Sequence, residues 1–235
     1  MIIRKKTLII ISSLLLISVL TSCLLYSNAF IKNQIINAPT IIIDAGHGGE
    51  DGGAVAFDGT LEKDINLSIA HYLKGMLELS GYNTIMIRET DSAIYDSEAK
   101  TLRQKKVSDI HNRFKIIENN PSALFVSIHQ NKFEDSKYSG AQVFYSPNNP
   151  LSVDLAQSIQ NSFVSLLQPE NERQIKKGTN DVYLIYHTKN SAVLVECGFM
   201  SNNEELQKLK DEKYRQEVAF TIFCGINNYI SNSEV

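Results

Sequence analysis

The run Ile41-Ile42-Ile43-Asp44-Ala45-Gly46-His47-Gly48-Gly49 constrains this chain more than any other stretch. Three consecutive β-branched apolar residues carry no amphipathic face, so they suit a strand buried on both sides. The strand stops at Asp44 and gives way to glycines, which let the backbone turn and approach a ligand closely. A histidine is thereby presented at the carboxyl end of a buried strand, where ligands sit in open α/β sheets.

The pattern recurs downstream. Ala123–His129 is a near-continuous apolar run that also ends in a histidine, and Ala192–Glu196 is one that ends in a carboxylate. Thr40–Asp44, Thr84–Arg88, Ser139–Tyr145 and Val182–Tyr186 complete the expected strands, with Ser139–Tyr145 nearer the sheet edge. Between them, Lys63–Ser80 has helical spacing and a Gly81 stop, Val107–Asn119 is a helix halted by Pro121, and Leu151, Leu155, Ile159, Phe163 and Leu166 line one face of another. Glu89–Lys106 is polar and reads as a loop or partly helical excursion, and two helices close the chain. Strands alternating with helices predict one α/β domain: a mostly parallel, twisted sheet of about six strands, covered by helices on both faces. In that architecture His47, His129 and Glu196 gather at one sheet edge.

The amino terminus differs from the body. Arg4-Lys5-Lys6 precedes an uncharged, Ile- and Leu-rich run from Thr7 to Tyr26, the layout of a signal peptide or membrane anchor over residues 1–26. Three fates are open: cleavage at Ser27-Asn28-Ala29, retention as a spanning helix, or acylation of Cys23 in the lipoprotein-like Leu20-Thr21-Ser22-Cys23. All three put the body outside the cytoplasmic membrane, with membrane contact only through this segment. Residues 27–39 form a linker, and the catalytic domain spans 40–235. The formal net charge is −3, and three of the positive charges sit in the basic head, so the body is acidic and offers no footprint for nucleic acid. Leader, linker and body use up the chain, so recruitment is expected from the leader or from a helper protein. Three cysteines are too few for a disulfide framework; Cys197 and Cys224 lie in apolar contexts and read as buried thiols.

Two His and one carboxylate with an open fourth position make a common catalytic zinc site. His47 and His129 are the histidine candidates. Glu62, beside a helix start, can face back toward the end of the first strand. Imidazole and carboxylate donors favour zinc, one ion, which would acidify a water for attack on an amide carbonyl. A further carboxylate must take that water's proton and pass it to the leaving nitrogen, and Glu196, aimed at the sheet edge by Val193-Leu194-Val195, fits. His71 and His111 fall within helices and read as structural or surface residues, whereas His187 is a candidate substrate contact. Arg88 is expected to pair with a carboxylate, and Cys197 has no dedicated base that would make it a nucleophile.

These motifs together resemble the zinc-dependent N-acetylmuramoyl-L-alanine amidases of the Amidase_3 type. The resemblance covers Thr40 to about Ile230 and rests on Asp44–Gly49 with Asp51-Gly52-Gly53-Ala54, on Leu61-Glu62-Lys63, on Ser127-Ile128-His129-Gln130-Asn131, on Gly140–Tyr145 and on Leu194–Asn202. Gln130 stands where Ala is commoner. The resemblance implies that His47, Glu62 and His129 bind zinc, that Glu196 is the acid/base, and that the substrate is the amide between the lactyl group of N-acetylmuramic acid and L-alanine of peptidoglycan stem peptides. Thr101–Lys106 and Arg113 most resemble the germination-specific branch, which implies spore cortex, muramic lactam formation and the forespore/cortex space. A zinc peptidase cutting within the stem uses the same residues and is the alternative; an inactive wall-binding module on the same fold is a third reading, against which the intact residue set speaks.

Overall fold

The computed structural model describes residue 10, residues 14–26 and residues 38–233. The chain divides into two units, Met1–Ala38 and Pro39–Val235. In the first, residues 14–26 are helical, with Leu14, Leu16, Leu20 and Leu24 exposed and Cys23 on the surface. The cleavage-site residues Ser27-Asn28-Ala29 and the linker up to residue 37 lie outside the described residues. Among the described residues, no helix is long and apolar enough to cross a membrane.

The second unit contains β1 (Thr40–Ala45), α1 (Glu62–Leu79), β2 (Asn83–Met86), α2 (Leu102–Glu118), β3 (Leu124–Asn131) and β4 (Gln142–Tyr145). It continues with α3 (Leu151–Ser162), β5 (Lys176–Lys177), α4 (Tyr183–His187), β6 (Ala192–Phe199), α5 (Asn203–Lys210) and α6 (Glu212–Ser233). One six-stranded sheet runs β2-β1-β3-β6-β4-β5. Only the β4–β6 pairing is antiparallel. The α/β architecture expected from the sequence, mostly parallel with helices on both faces, is the one found.

Strand alternation divides the core in two. Ile41 and Ile43 of β1, Val126 and Ile128 of β3 and Val193 and Val195 of β6 face the larger side, covered by α1, α3, α5 and α6. Ile42, Phe125, Ala192 and Leu194 face the smaller side, where Ile117 of α2 and Ile185 of α4 cover them. The Ile41–Ile43 run is fully buried because both faces are covered.

Three local expectations change. Val182–Tyr186 is not a strand: residues 183–187 form the short helix α4, which lays Ile185 on the smaller face. A short apolar run carries no decisive period, so tertiary packing settles it; the sixth strand is instead the two-residue β5 beside β4. The second long helix starts at Leu102 rather than Val107, because Thr101 and Gln104 form a reciprocal capping box. Finally, β2 ends at Met86 and Arg88 lies beyond it, buried.

Candidate active site

The site begins where β1 ends. Its last carbonyls and the loop after it are held by two buried guanidinium groups. Arg88 donates from Nε to Ala45 O (2.8 Å) and from Nη2 to Gly46 O (3.1 Å) and Lys63 O (2.8 Å). It thus serves backbone carbonyls, and the expected carboxylate partner is replaced by them: a planar fork with five donors suits several converging carbonyls. Arg113 of α2 donates to Asp44 Oδ1 (2.5 Å), Asp109 Oδ2 (2.6 Å) and His47 O (2.7 Å). Ser127 Oγ donates to the other Asp44 oxygen at 2.7 Å. Burial alone would raise the Asp44 carboxyl, but Arg113 and Ser127 outweigh it and hold Asp44 below the usual carboxylate range.

That clamp sets His47 in a left-handed conformation, φ 64°, sparsely populated for a residue with a Cβ. His47 Nδ1 lies 2.9 Å from Asp51 Oδ2, and its Nε2 lies 3.2 Å from Glu62 Oε2. Asp51 in turn meets Lys106 Nζ at 2.7 Å. A proton on Nδ1 given to Asp51 leaves the Nε2 lone pair facing Glu62, the arrangement by which a carboxylate orients a metal-binding imidazole.

Glu62 is the first residue of α1. No side chain caps this helix; the 52–54 loop does so, with Glu62 N donating to Ala54 O and Lys63 N to Gly52 O. The carboxylate is buried under donors: Ala54 N reaches Oε2 at 2.8 Å, while Oε1 meets His129 Nδ1 at 2.9 Å, Gln130 N at 3.1 Å and Asn66 Nδ2 at 3.1 Å. Burial would raise its pKa, yet His129 and His47 overcome that and hold Glu62 far below the usual range. In the metal-free chain, and against its own burial, Asp51 and Glu62 raise His47 to about 9, with a proton on Nε2 that a bound ion would displace.

Two glycines make the close approach possible. A Cβ on Gly46 would stand 2.3 Å from the His129 ring, and one on Gly53 (φ +68°) would stand 2.6 Å from both Glu62 Oε2 and the His47 ring. The donor atoms of His47, Glu62 and His129 all lie within 4.8 Å of one another, close enough for one ion. Two imidazoles and a carboxylate also match zinc by donor chemistry.

Glu196 is the register partner of His129 on the adjacent strand β6. Its Oε2 is buried and has no hydrogen-bond partner among the described residues. Burial, with the Glu62 charge adding to it, outweighs the two histidines and pushes Glu196 up to about 7. Alternation turns its neighbour Cys197 into the opposite core, where burial raises the thiol's pKa further from reactivity. Cys224 is half-buried.

A cavity of about 220 Å³ adjoins the cluster, with His47, His129, Lys106, Arg113, Asp181 and Tyr183 in its wall. His187 is exposed at the end of α4, with Nε2 3.2 Å from Asn180 Oδ1; residues 181–185 line the cavity in its place. His71 is exposed and meets Glu89 O, and His111 is exposed against the Tyr183 ring. Asp51, Asn66 and the clamp role of Arg113 escape sequence reasoning: Asp51 lies within the glycine motif, but only the folded loop returns its carboxylate to the imidazole four residues earlier.

Three residues that could hold one ion, beside a buried carboxylate at the carboxyl edge of a mostly parallel sheet, suit hydrolytic chemistry. The family model for N-acetylmuramoyl-L-alanine amidases, Amidase_3, matches residues 41–228, and the chain belongs to that family. It is 34% identical over 196 residues to the germination-specific N-acetylmuramoyl-L-alanine amidase of Bacillus subtilis, covering 83% of this chain and 81% of the relative. Among solved structures it resembles the CwlD amidase of Clostridioides difficile, determined in complex with the GerS lipoprotein: TM-score 0.79, 44% identity, 83% of this chain and 99% of that one. The amidase AmiC2 of Nostoc punctiforme also matches, with TM-score 0.69 and 27% identity over 82% of this chain and 97% of that one.

Proposed function

We propose that the enzyme carries out its family's reaction, hydrolysis of the amide between the lactyl group of N-acetylmuramic acid and L-alanine of peptidoglycan stems, with one zinc ion held by His47, Glu62 and His129 and with Glu196 as acid/base. The observation that carries this reading is the convergence of three ligand atoms within 4.8 Å beside a buried carboxylate oxygen that has no partner. Bound there, zinc supplies Lewis acidity, acidifying a water nucleophile and polarising the scissile carbonyl. Asp51 holds the His47 tautomer, and Gly46 and Gly53 leave room for the rings and the Glu62 carboxylate to converge. Glu196 Oε2 takes the proton of the attacking water and returns it to the amide nitrogen as the C–N bond breaks. In the metal-free chain burial holds this carboxyl up at about 7, and the charge of a bound ion would lower it toward the carboxylate that accepts the water's proton.

Similarity to the germination-specific amidase of Bacillus subtilis supports a spore-cortex substrate and the muramic lactam as the destination of its product. The lipoprotein complex of the CwlD amidase supports a helper protein for this chain. The basic head and apolar run support export, with residues 1–26 as signal peptide or anchor, 27–39 as linker and the catalytic body beyond the cytoplasmic membrane.

Mass spectrometry of products from purified wall tests the bond cleaved: free stem peptides with N-terminal L-alanine are expected, and fragments cut within the stem would replace this reading with a peptidase. Glu196→Gln tests the acid/base. It should keep zinc and fold while kcat falls about a hundred- to ten-thousand-fold, some 3 to 5 kcal/mol of barrier. The loss should appear in kcat rather than KM. Near-normal kcat in a zinc-loaded variant would remove Glu196 from the mechanism.

A further inference from the structure

Gln130 follows a ligand candidate yet points the other way. Gln130 lies where the β3–β6 register shifts, and its side chain turns to α1, against Asn66 and the Cys197 side chain. Gln130 is 3% exposed. Its Nε2 donates to Asn66 Oδ1 at 3.1 Å, and its Oε1 has no hydrogen-bond partner among the described residues. Asn66, fully buried on α1 one turn after Glu62, donates from Nδ2 to Glu62 Oε1 (3.1 Å) and to Gly46 O (3.2 Å).

The direction of this chain of amides matters. A buried Asn beside a carboxylate can present either its NH2 or its carbonyl, and a carbonyl would set two acceptors against each other. The Gln130 NH2 on Asn66 Oδ1 selects the productive orientation. Asn66 then joins the same Glu62 oxygen that meets His129 and Gln130 N, which leaves Oε2 as the oxygen turned toward His47. The same amide also holds Gly46, whose backbone packs against the His129 ring. Gln130 satisfies the buried Asn66 Oδ1 and interacts with the Cys197 side chain, while its own Oε1 stays without a partner among the described residues, a cost when buried that an apolar residue would not carry. Locally unfavourable choices of this kind mark positions kept for function.

We infer that Asn66 and Gln130 are positioning residues for the metal-site carboxylate: Gln130 orients the Asn66 amide, Asn66 fixes Glu62, and together they set metal affinity without reaching the metal. This rests on the proposed zinc site.

The test is zinc affinity by competition with a chromophoric chelator, together with the melting temperature of the metal-free protein. The parent protein, Gln130→Met, Asn66→Ala and the double variant are compared. Asn66→Ala should weaken zinc binding about 10- to 100-fold, the usual effect of losing a group that orients a ligand. Gln130→Met keeps the volume and exchanges one unpaired buried carbonyl, Gln130 Oε1, for another, Asn66 Oδ1, so it should weaken zinc by a smaller factor with little change in metal-free melting temperature. Because Gln130 acts through Asn66, the double variant should bind zinc no worse than Asn66→Ala alone. Parent-like zinc affinity in Gln130→Met overturns the inference, as does a double variant that shows both losses in full. If Asn66→Ala fails to fold, Gln130→Met still decides. A parent protein that binds no zinc sinks the zinc reading itself, a result distinct from parent binding with indifferent variants.

Discussion

At Glu196 a carboxylate oxygen is buried without a hydrogen-bond partner among the described residues, so its charged form should cost the fold stability. In the metal-free protein the folded pKa of about 7 lies above the ordinary 4.5. Below about pH 4.5 the group is protonated in both folded and unfolded chains and costs nothing. As pH rises toward 7 the unfolded chain ionises first, so stability is lost, by about 3 kcal/mol once both are ionised. Metal-free Glu196→Gln should therefore melt above the parent at about pH 8 and together with it at about pH 4, read by thermal denaturation. Equal melting at both pH values would mean that Oε2 is solvated. The ligand candidates behave differently. Each comes from a separate segment, so His129→Ala or Glu62→Ala should abolish stoichiometric zinc as well as activity; full zinc content by elemental analysis would reject the assignment.

At the scale of elements, α2 is the least apolar of the long helices and buries only Arg113 and Ile117. It is positioned by polar contacts to the loop it supports: Lys105 to Glu50, Lys106 to Asp51 and Arg113 to Asp44 and the His47 carbonyl. Exposed pairs contribute little each, whereas the Arg113–Asp44 pair is enclosed on all sides. Arg113→Met should cost about 3–5 kcal/mol by leaving Asp44 charged and buried. Because Asp44 has a lowered pKa, the pair's contribution is present above the ordinary carboxylate range and is lost as pH falls through the folded value. The difference between parent and variant, measured by denaturant unfolding, should shrink in acid; a constant difference would show that Arg113 acts by packing alone.

At the scale of the whole molecule, a parallel sheet brings distant residues to one edge. β1, β3 and β6 are adjacent and parallel, so their carboxyl ends, eighty or more residues apart between first and second, open on the same side. The proposed export rests on the amino-terminal segment. A reporter that works only in the cytoplasm, fused after Val235, should stay inactive, and activity there would overturn the export reading.

How much of this was legible in the sequence follows from which interactions are local. The Ile41–Ile43, Ala123–Ile128 and Ala192–Val195 runs announce buried strands because both faces must be apolar, and the residue after such a run is delivered to the sheet edge. That reasoning suffices to nominate His47, His129 and Glu196, and the α/β class with them. A short apolar run such as 182–186 and a polar helix start such as 102–106 carry little periodic signal: the first is a helix rather than the expected strand, and the second is the helical part of the expected excursion, with the capping box at Thr101 as its local cue. Other facts belong to the folded chain alone. That Arg88 serves carbonyls and that Gln130 reaches Asn66 depend on contacts between elements, and hydrogen bonds reaching 42 or 64 residues along the chain leave no trace in local patterning; that Asp51 turns back on His47 is local but depends on the folded loop. Sequence periodicity reports which face of an element is dry; which polar groups meet across those faces is decided only when the elements pack.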